Sequence, residues 1–198
     1  MMIDSFAWRK GKNPPLWNIQ SNELVYDLHV GWIRKFSGQH PDGRKHDFLI
    51  LDNIRDWVQC IALTKKNEIV LVSQYRAGSN DLTLELPGGG IDKNEDVICG
   101  LFRELREETG YSGKDPVHLY TCFPNPAMQT NRVHFYFLQH CEKEFDTDFD
   151  PAEDLTTHLL PLDQLDKAID DNIFQHAITL EGLLLFQRWL KKSRFLNI

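Results

Sequence analysis

The sequence predicts an α+β protein, a mixed sheet covered on both faces by helices and preceded by a small antiparallel sheet. Three observations carry this. Short runs rich in β-branched and aromatic residues, some strictly alternating, recur between Glu23 and Leu160. The stretches 95–109, 162–170 and 174–191 hold their apolar residues at the three and four residue steps of a half-buried helix. Strands and helices follow one another in an order that packs helices on both sides of one sheet.

The chain of 198 residues is 41% hydrophobic, enough to bury a core in one domain with at most a small appendage. We expect residues 1–55 to form an N-terminal sheet region used for dimerisation and residues 56–198 to form the main domain. A formal net charge of −7 disfavours a nucleic-acid backbone or an anionic membrane as the main partner. A polyanionic substrate would need metal ions to be held. Cys60, Cys99, Cys122 and Cys141 are widely spaced with no C-x-x-C, so they read as free thiols. No run has the length of a signal peptide's apolar core or of a membrane span, and a reducing cytoplasm is the expected compartment.

In order, residues 1 to 20 form an irregular arm whose Trp8 and Trp17 need a surface to pack on. From Glu23 to Phe36, Leu24, Tyr26, Leu28, Val30 and Trp32 alternate with more polar residues, as in one half-buried strand. His40-Pro41-Asp42-Gly43 is turn chemistry, and 47–51 returns as a second antiparallel strand. So small a sheet needs a partner surface, and we expect a homodimer.

The main domain opens with two strands, 57–63 and 68–74, hairpinned through Lys65-Lys66-Asn67. A strand at 82–86 delivers the chain to Pro87-Gly88-Gly89-Gly90, where backbone must come close to something, since three glycines cost entropy that an ordinary turn need not spend. A helix follows, capped by Asn94 or Asp92 and ended by Gly110. Strands at 116–123 and 132–138 bracket Pro124-Asn125-Pro126. Residues 142–154, acidic and poor in apolar side chains, read as a mobile loop before a last strand at 155–160 and two helices.

Within the central helix, Glu104, Glu107 and Glu108 project from one side of the last two turns. Like charges at this spacing repel, so a cation belongs among them. Arg103 and Arg106 supply part of that charge, and hard divalent ions such as Mg²⁺ or Mn²⁺ prefer clustered carboxylate oxygens. Such a cluster suits attack of water on a phosphoanhydride. Glu95 serves either as a further ligand or as a first-turn carboxylate for Arg103 and the helix dipole. Arg76 either grips a phosphate with its fork or makes a surface salt bridge.

From Gly89 to Tyr111 the chain resembles the box of the Nudix hydrolases, G-x5-E-x7-R-E-U-x-E-E-x-G-U with U bulky and apolar. Gly89, Glu95, Arg103, Glu104, Leu105, Glu107, Glu108 and Gly110 fill the fixed places, with Tyr111 at the last U. Tyr26, Gln74-Tyr75-Arg76, Leu84-Glu85-Leu86-Pro87 and Pro126 further resemble the ADP-ribose and nucleoside-diphosphate-sugar pyrophosphatase branch. That resemblance implies an α/β/α sandwich, and a dimer whose N-terminal sheet helps build the partner's active site. It also implies cleavage of a nucleoside diphosphate sugar to a nucleoside monophosphate and a sugar phosphate. Carried onto this chain, it makes Gly88 (through its carbonyl), Glu104, Glu107 and Glu108 the metal ligands. Arg76, Gly89 and Pro126 become substrate contacts, and Glu107, Arg103 and a base from the acidic loop, Glu153, the catalytic set.

The chain departs from the branch at Gly88, where alanine is common, and around Pro126 and Thr130-Asn131-Arg132, which leaves the sugar open. Two other readings stand beside this one. The first is a Nudix pyrophosphohydrolase of nucleoside triphosphates or dinucleoside polyphosphates, which would not need the strands of residues 23–52. The second is an ADP-ribose-binding sensor, disfavoured by intact carboxylates and the lack of a basic appendage.

Overall fold

The structure, a computed structural model, describes residues 13–149 and 154–195. Trp8 and Glu153 therefore lie outside the described residues. The described chain divides into two units, one formed by residues 13–54 with 125–130, the other by residues 55–124 with 131–195.

The first unit is a three-stranded antiparallel sheet of β1 (Asn18–Leu28), β2 (Gly31–Gln39) and β3 (Lys45–Asp52) in that order. The single strand expected over 23–36 is thus a hairpin that reverses at His29 and Val30, with Leu28 opposite Gly31. Alternation carried straight across this turn because Leu28, Val30 and Trp32 keep the period of two. Nor is β1 half-buried, for every one of its residues is exposed. Trp17 packs within the unit, edge-on to Phe48 at 5.3 Å between ring centres and tilted on His40 at 5.2 Å. Residues 125–130, expected only as a link between strands of the main domain, join this sheet: Leu51 N–H donates to the Met128 carbonyl at 2.8 Å, and the Thr130 hydroxyl to Asp52 at 2.9 Å.

The second unit is built on a mixed sheet. Its strands are β4 (Trp57–Thr64), β5 (Glu68–Arg76), β6 (Asp81–Glu85), β7 (Tyr111–Cys122), β8 (Val133–Lys143) and β9 (Thr156–Pro161). The order is β6-β5-β4-β8-β7, β9 pairs with β5, and the β4–β8 pair is parallel. Period-two patterning divides the strands cleanly between two cores. On one face Val58, Cys60 and Ala62 of β4 pack with Leu101 and Leu105 of helix α1 (Val97–Thr109). On the other, Ile61 and Leu63 with Phe135 and Phe137 meet α2 (Leu165–Asp170) and α3 (Ala177–Phe195) through Leu165, Leu183 and Phe186. The sheet is covered on both faces, as the pattern predicts.

Several boundaries move. Tyr111 rather than Pro116 opens β7, whose register shifts three times around Gly113 to Tyr120, so bulges hid its first half from the pattern. A 3₁₀ turn, Leu162–Gln164, precedes α2, and α3 begins after Phe174, which is buried in the core ahead of it.

Candidate active site

Helix α1 presents the acidic face. Its N-cap is Asp96, whose carboxylate accepts the Ile98 N–H at 2.9 Å, rather than Asn94 or Asp92. Asn94 sits in the left-handed region at φ 68°, and the Asp92 side chain is held by Arg55. The helix ends at Gly110, left-handed at φ 73°, whose N–H caps the Arg106 carbonyl.

Ahead of the helix the glycine loop is laid along β4. Cys60 N–H donates to the Pro87 carbonyl at 2.8 Å and Val58 N–H to the Gly89 carbonyl at 3.0 Å. Gly88, between them, has φ 150°, and a Cβ there would stand 2.1 Å from the Val58 carbonyl oxygen. No other residue fits. At Gly89 a Cβ would meet both Glu104 carboxylate oxygens at 2.7 and 2.8 Å, so a larger residue there would displace that carboxylate. The loop and the helix therefore touch through backbone and carboxylate, and Gly88 N–H donates to Glu108 Oε2 at 2.8 Å.

Arg103 organises the carboxylates. Its Nε and Nη2 grip Glu95 at 2.9 and 3.0 Å, Nη1 reaches Glu104 at 2.8 Å and Glu107 at 3.1 Å, and Nη2 also holds the Gly90 carbonyl at 2.9 Å. These bonds hold the Glu95 carboxyl below the usual carboxylate range, against the opposing effect of burial. Glu95 also accepts the Asp92 N–H at 2.8 Å, so it ties loop to helix and stands outside the cavity.

That cavity, about 390 Å³, lies between loop and helix. Glu104, Glu107 and Glu108 line it with Asp92 and Asp148, over Gly89 and Gly90. Asp148 is a site residue that sequence reasoning missed. The acidic stretch read as a mobile loop is in its described part fastened to the end of α1. Glu144 and Phe145 N–H donate to the Gly110 carbonyl at 2.9 and 3.0 Å, and Asp148 N–H to the Glu107 carbonyl at 2.9 Å. Its first two residues, Glu142 and Lys143, belong to β8.

Carboxylate oxygens in this number suit a hard divalent cation in kind. They do not converge on a single point here, for among the described residues no three acidic, thiol or imidazole side chains are gathered as around one ion. The Arg103 guanidinium and the Gly88 N–H hold them instead.

Arg76 is not among the residues that line the cavity. Arg76 is engaged by Glu85, Nε to Oε1 and Nη2 to Oε2, both at 2.7 Å. Glu85 is buried and also accepts from the Thr83 hydroxyl, with His176 Nδ1 at 3.0 Å. Burial alone would raise its carboxyl, but the bonds from Arg76, His176 and Thr83 bring it down to about 2. Pro126 belongs to the first unit.

A glycine loop and the acidic face of α1 thus enclose a carboxylate-lined cavity on a mixed sheet covered on both faces. The NUDIX domain model matches residues 54–189, so the chain belongs to that family. Nudix hydrolases generally use divalent metal ions. The chain is similar to a Caenorhabditis elegans protein described as a nudix hydrolase, 35% identical over 120 residues, 57% of this chain and 52% of that one. It is 44% identical over 69 residues to the ADP-ribose pyrophosphatase of Saccharomyces cerevisiae, 35% of this chain and 30% of the other. The matched stretch thus spans about half of the first relative and less of the second. A crystal structure of an ADP compounds hydrolase superposes with a TM-score of 0.82 at 22% identity, covering 92% of this chain and 98% of that one, which shows the shared fold. No described helix is long and apolar enough to cross a membrane.

Proposed function

We propose that the protein hydrolyses the pyrophosphate bond of ADP-ribose or a related nucleoside diphosphate sugar, giving a nucleoside monophosphate and a sugar phosphate. The observation that carries this reading is the cavity in which Glu104, Glu107 and Glu108 face a glycine loop with no room for a side chain at position 88 and with the Glu104 carboxylate against Gly89. The names of its relatives support it: an ADP-ribose pyrophosphatase in yeast and another in Bacillus subtilis, 29% identical over 82 residues.

Glu104, Glu107, Glu108 and the Gly88 carbonyl would hold Mg²⁺ or Mn²⁺. When bound, such an ion supplies the positive charge that a diphosphate and its transition state need in so acidic a place. Arg103 keeps Glu104 and Glu107 oriented. Arg76 and Pro126 remain proposed substrate contacts and Glu153 the proposed base. The exposed apolar residues of β1, Leu24, Val25 and Tyr26 among them, favour a homodimer formed through the N-terminal sheet. The four cysteines are free thiols, which favours a reducing cytoplasm.

The test is turnover of ADP-ribose, ADP-glucose, GDP-mannose, diadenosine polyphosphates and dNTPs, with products resolved by chromatography, in Mg²⁺ or Mn²⁺ and again in EDTA. Metal-dependent release of a nucleoside monophosphate from a diphosphate sugar is expected. Preference for triphosphates or dinucleoside polyphosphates, or no turnover, overturns the reading.

A further inference from the structure

Five carboxylates, Asp92, Glu104, Glu107, Glu108 and Asp148, line the cavity, and its described lining contains only two cations, Arg103 and Arg55. A diphosphate entering such a place is repelled unless positive charge is available to it. Arg103 cannot supply that charge by contact. A guanidinium has five N–H donors, and the five bonds of Arg103 go to Glu95 twice, Glu104, Glu107 and the Gly90 carbonyl.

Arg55 is in the opposite condition. Its backbone is fixed beside the glycine loop: its carbonyl accepts from Asn131 Nδ2 at 3.1 Å, the next residue's carbonyl accepts the Ile91 N–H at 2.9 Å, and Trp57 bridges to Gly90. Its stem lies on the loop, close enough that a Cβ at Gly90 would be 3.2 Å from Arg55 Cδ. Its head makes one bond among the described residues, from Nη1 to Asp92 Oδ1. That pair stands at the rim, with side chains 63% and 54% exposed. An ion pair so exposed contributes little, so exchanging Asp92 for the oxygens of a diphosphate, which carries two charges, costs little and gains a two-pronged bond.

Resting on the function proposed above, we infer that Arg55 is the substrate's phosphate contact in this cavity, parked on Asp92 until a diphosphate enters and then turned inward from its anchored backbone. Asp92 is its positioning partner and the competitor of the incoming anion. The chemical class recognised is the diphosphate itself, whatever nucleoside or sugar it carries.

The test uses the full-length protein and methylenediphosphonate, whose P–C–P bridge cannot be hydrolysed, titrated calorimetrically at saturating Mn²⁺. Arg55→Ala is expected to weaken binding at least tenfold. Arg55→Lys should fall between Ala and wild type, because it keeps the charge and loses the fork. Asp92→Asn should tighten binding several-fold. Lys65→Ala, which removes the same charge outside the cavity lining, should change it less than twofold. Binding by Arg55→Ala within twofold of wild type, an equal loss in Lys65→Ala, or no binding by the wild type overturns the inference. The turnover panel separates this from the function itself. Hydrolysis of a diphosphate sugar with Arg55-independent binding sinks only the present inference, whereas Arg55-dependent binding without hydrolysis of any diphosphate sugar sinks the proposed reaction and leaves Arg55 as an anion contact.

Discussion

Arg103 holds Glu95 in a two-pronged grip across the start of α1, Nε to Oε1 at 2.9 Å and Nη2 to Oε2 at 3.0 Å. The remaining donors run to Glu104, Glu107 and the Gly90 carbonyl. One planar group thus registers the glycine loop against the carboxylate face, and lysine cannot imitate it with a single point charge. Arg103→Lys should lower kcat/KM at least tenfold and raise the Mn²⁺ concentration needed for half-maximal activity, because Glu104 and Glu107 lose their common anchor. A metal titration of activity checks it. Wild-type metal dependence in Arg103→Lys would mean that the carboxylates orient themselves.

Glu107→Gln and Glu108→Gln should each lose about 10²-fold to 10³-fold in kcat, the range for removing one charge-stabilising group from an active site. Both should keep the fold, since glutamine can still accept the Gly88 N–H that Glu108 accepts at 2.8 Å. Steady-state kinetics with circular dichroism as control are the measurement, and unimpaired turnover in both would remove this helix face from the reaction.

Stability should depend on pH through Glu85. Its folded carboxyl lies at about 2, below its ordinary value of 4.5, because burial is overruled by bonds from Arg76, His176 and Thr83. The folded group is the stronger acid, so its contribution is complete above about 4.5 and fades as the pH falls toward 2. Arg76→Ala leaves a buried carboxylate without its main partner and should cost about 3 kcal/mol, while moving acid unfolding to higher pH. Urea melts at pH 7 and pH 3 check both. A loss that is larger at pH 3 than at pH 7 has the wrong sign for this account.

Light scattering at micromolar concentration should give the mass of two chains. Leu24, Val25, Tyr26 and Leu49 of the first unit are all exposed, an unusual amount of apolar surface for a lone three-stranded sheet. Tyr26→Asp with Leu24→Asp should shift the protein toward one chain, and a monomeric wild type would sink the dimer.

What the sequence disclosed and what it hid follow from range. The helix, its end at Gly110 and the common side of Glu104, Glu107 and Glu108 are local consequences of spacing, so they were legible. The cap was not, because Asp92, Asn94 and Asp96 are all able to cap; in the structure Asp96 accepts the Ile98 N–H, Asn94 is left-handed, and Asp92 is bound to Arg55, 37 positions away. The β1–β2 turn was invisible because His29-Val30 interrupts no alternation. Asp148 was hidden most thoroughly: composition makes 142–154 a solvated loop, and backbone bonds from Glu144 and Phe145 to Gly110 and from Asp148 to Glu107, the last across 41 residues, bring it to the cavity.

The acidic segment therefore offers two carboxylates with different expected signatures. Asp148 is fixed on α1 by its own N–H and lines the cavity without help from substrate. Asp148→Asn should accordingly weaken Mn²⁺ binding severalfold in the absence of substrate, while kcat at saturating metal falls little. Glu153, outside the described residues, is the proposed base, and a base acts in the transition state, so Glu153→Gln should depress kcat far more than it raises KM and leave resting Mn²⁺ affinity alone. Mn²⁺ titration followed by electron paramagnetic resonance, beside steady-state kinetics at saturating metal, separates the two. If Asp148→Asn loses kcat at every metal concentration while Glu153→Gln turns over normally, the base is Asp148 and the residue carried over by resemblance is the wrong one. Normal rates in both place the base on α1 or leave the reaction without a protein base.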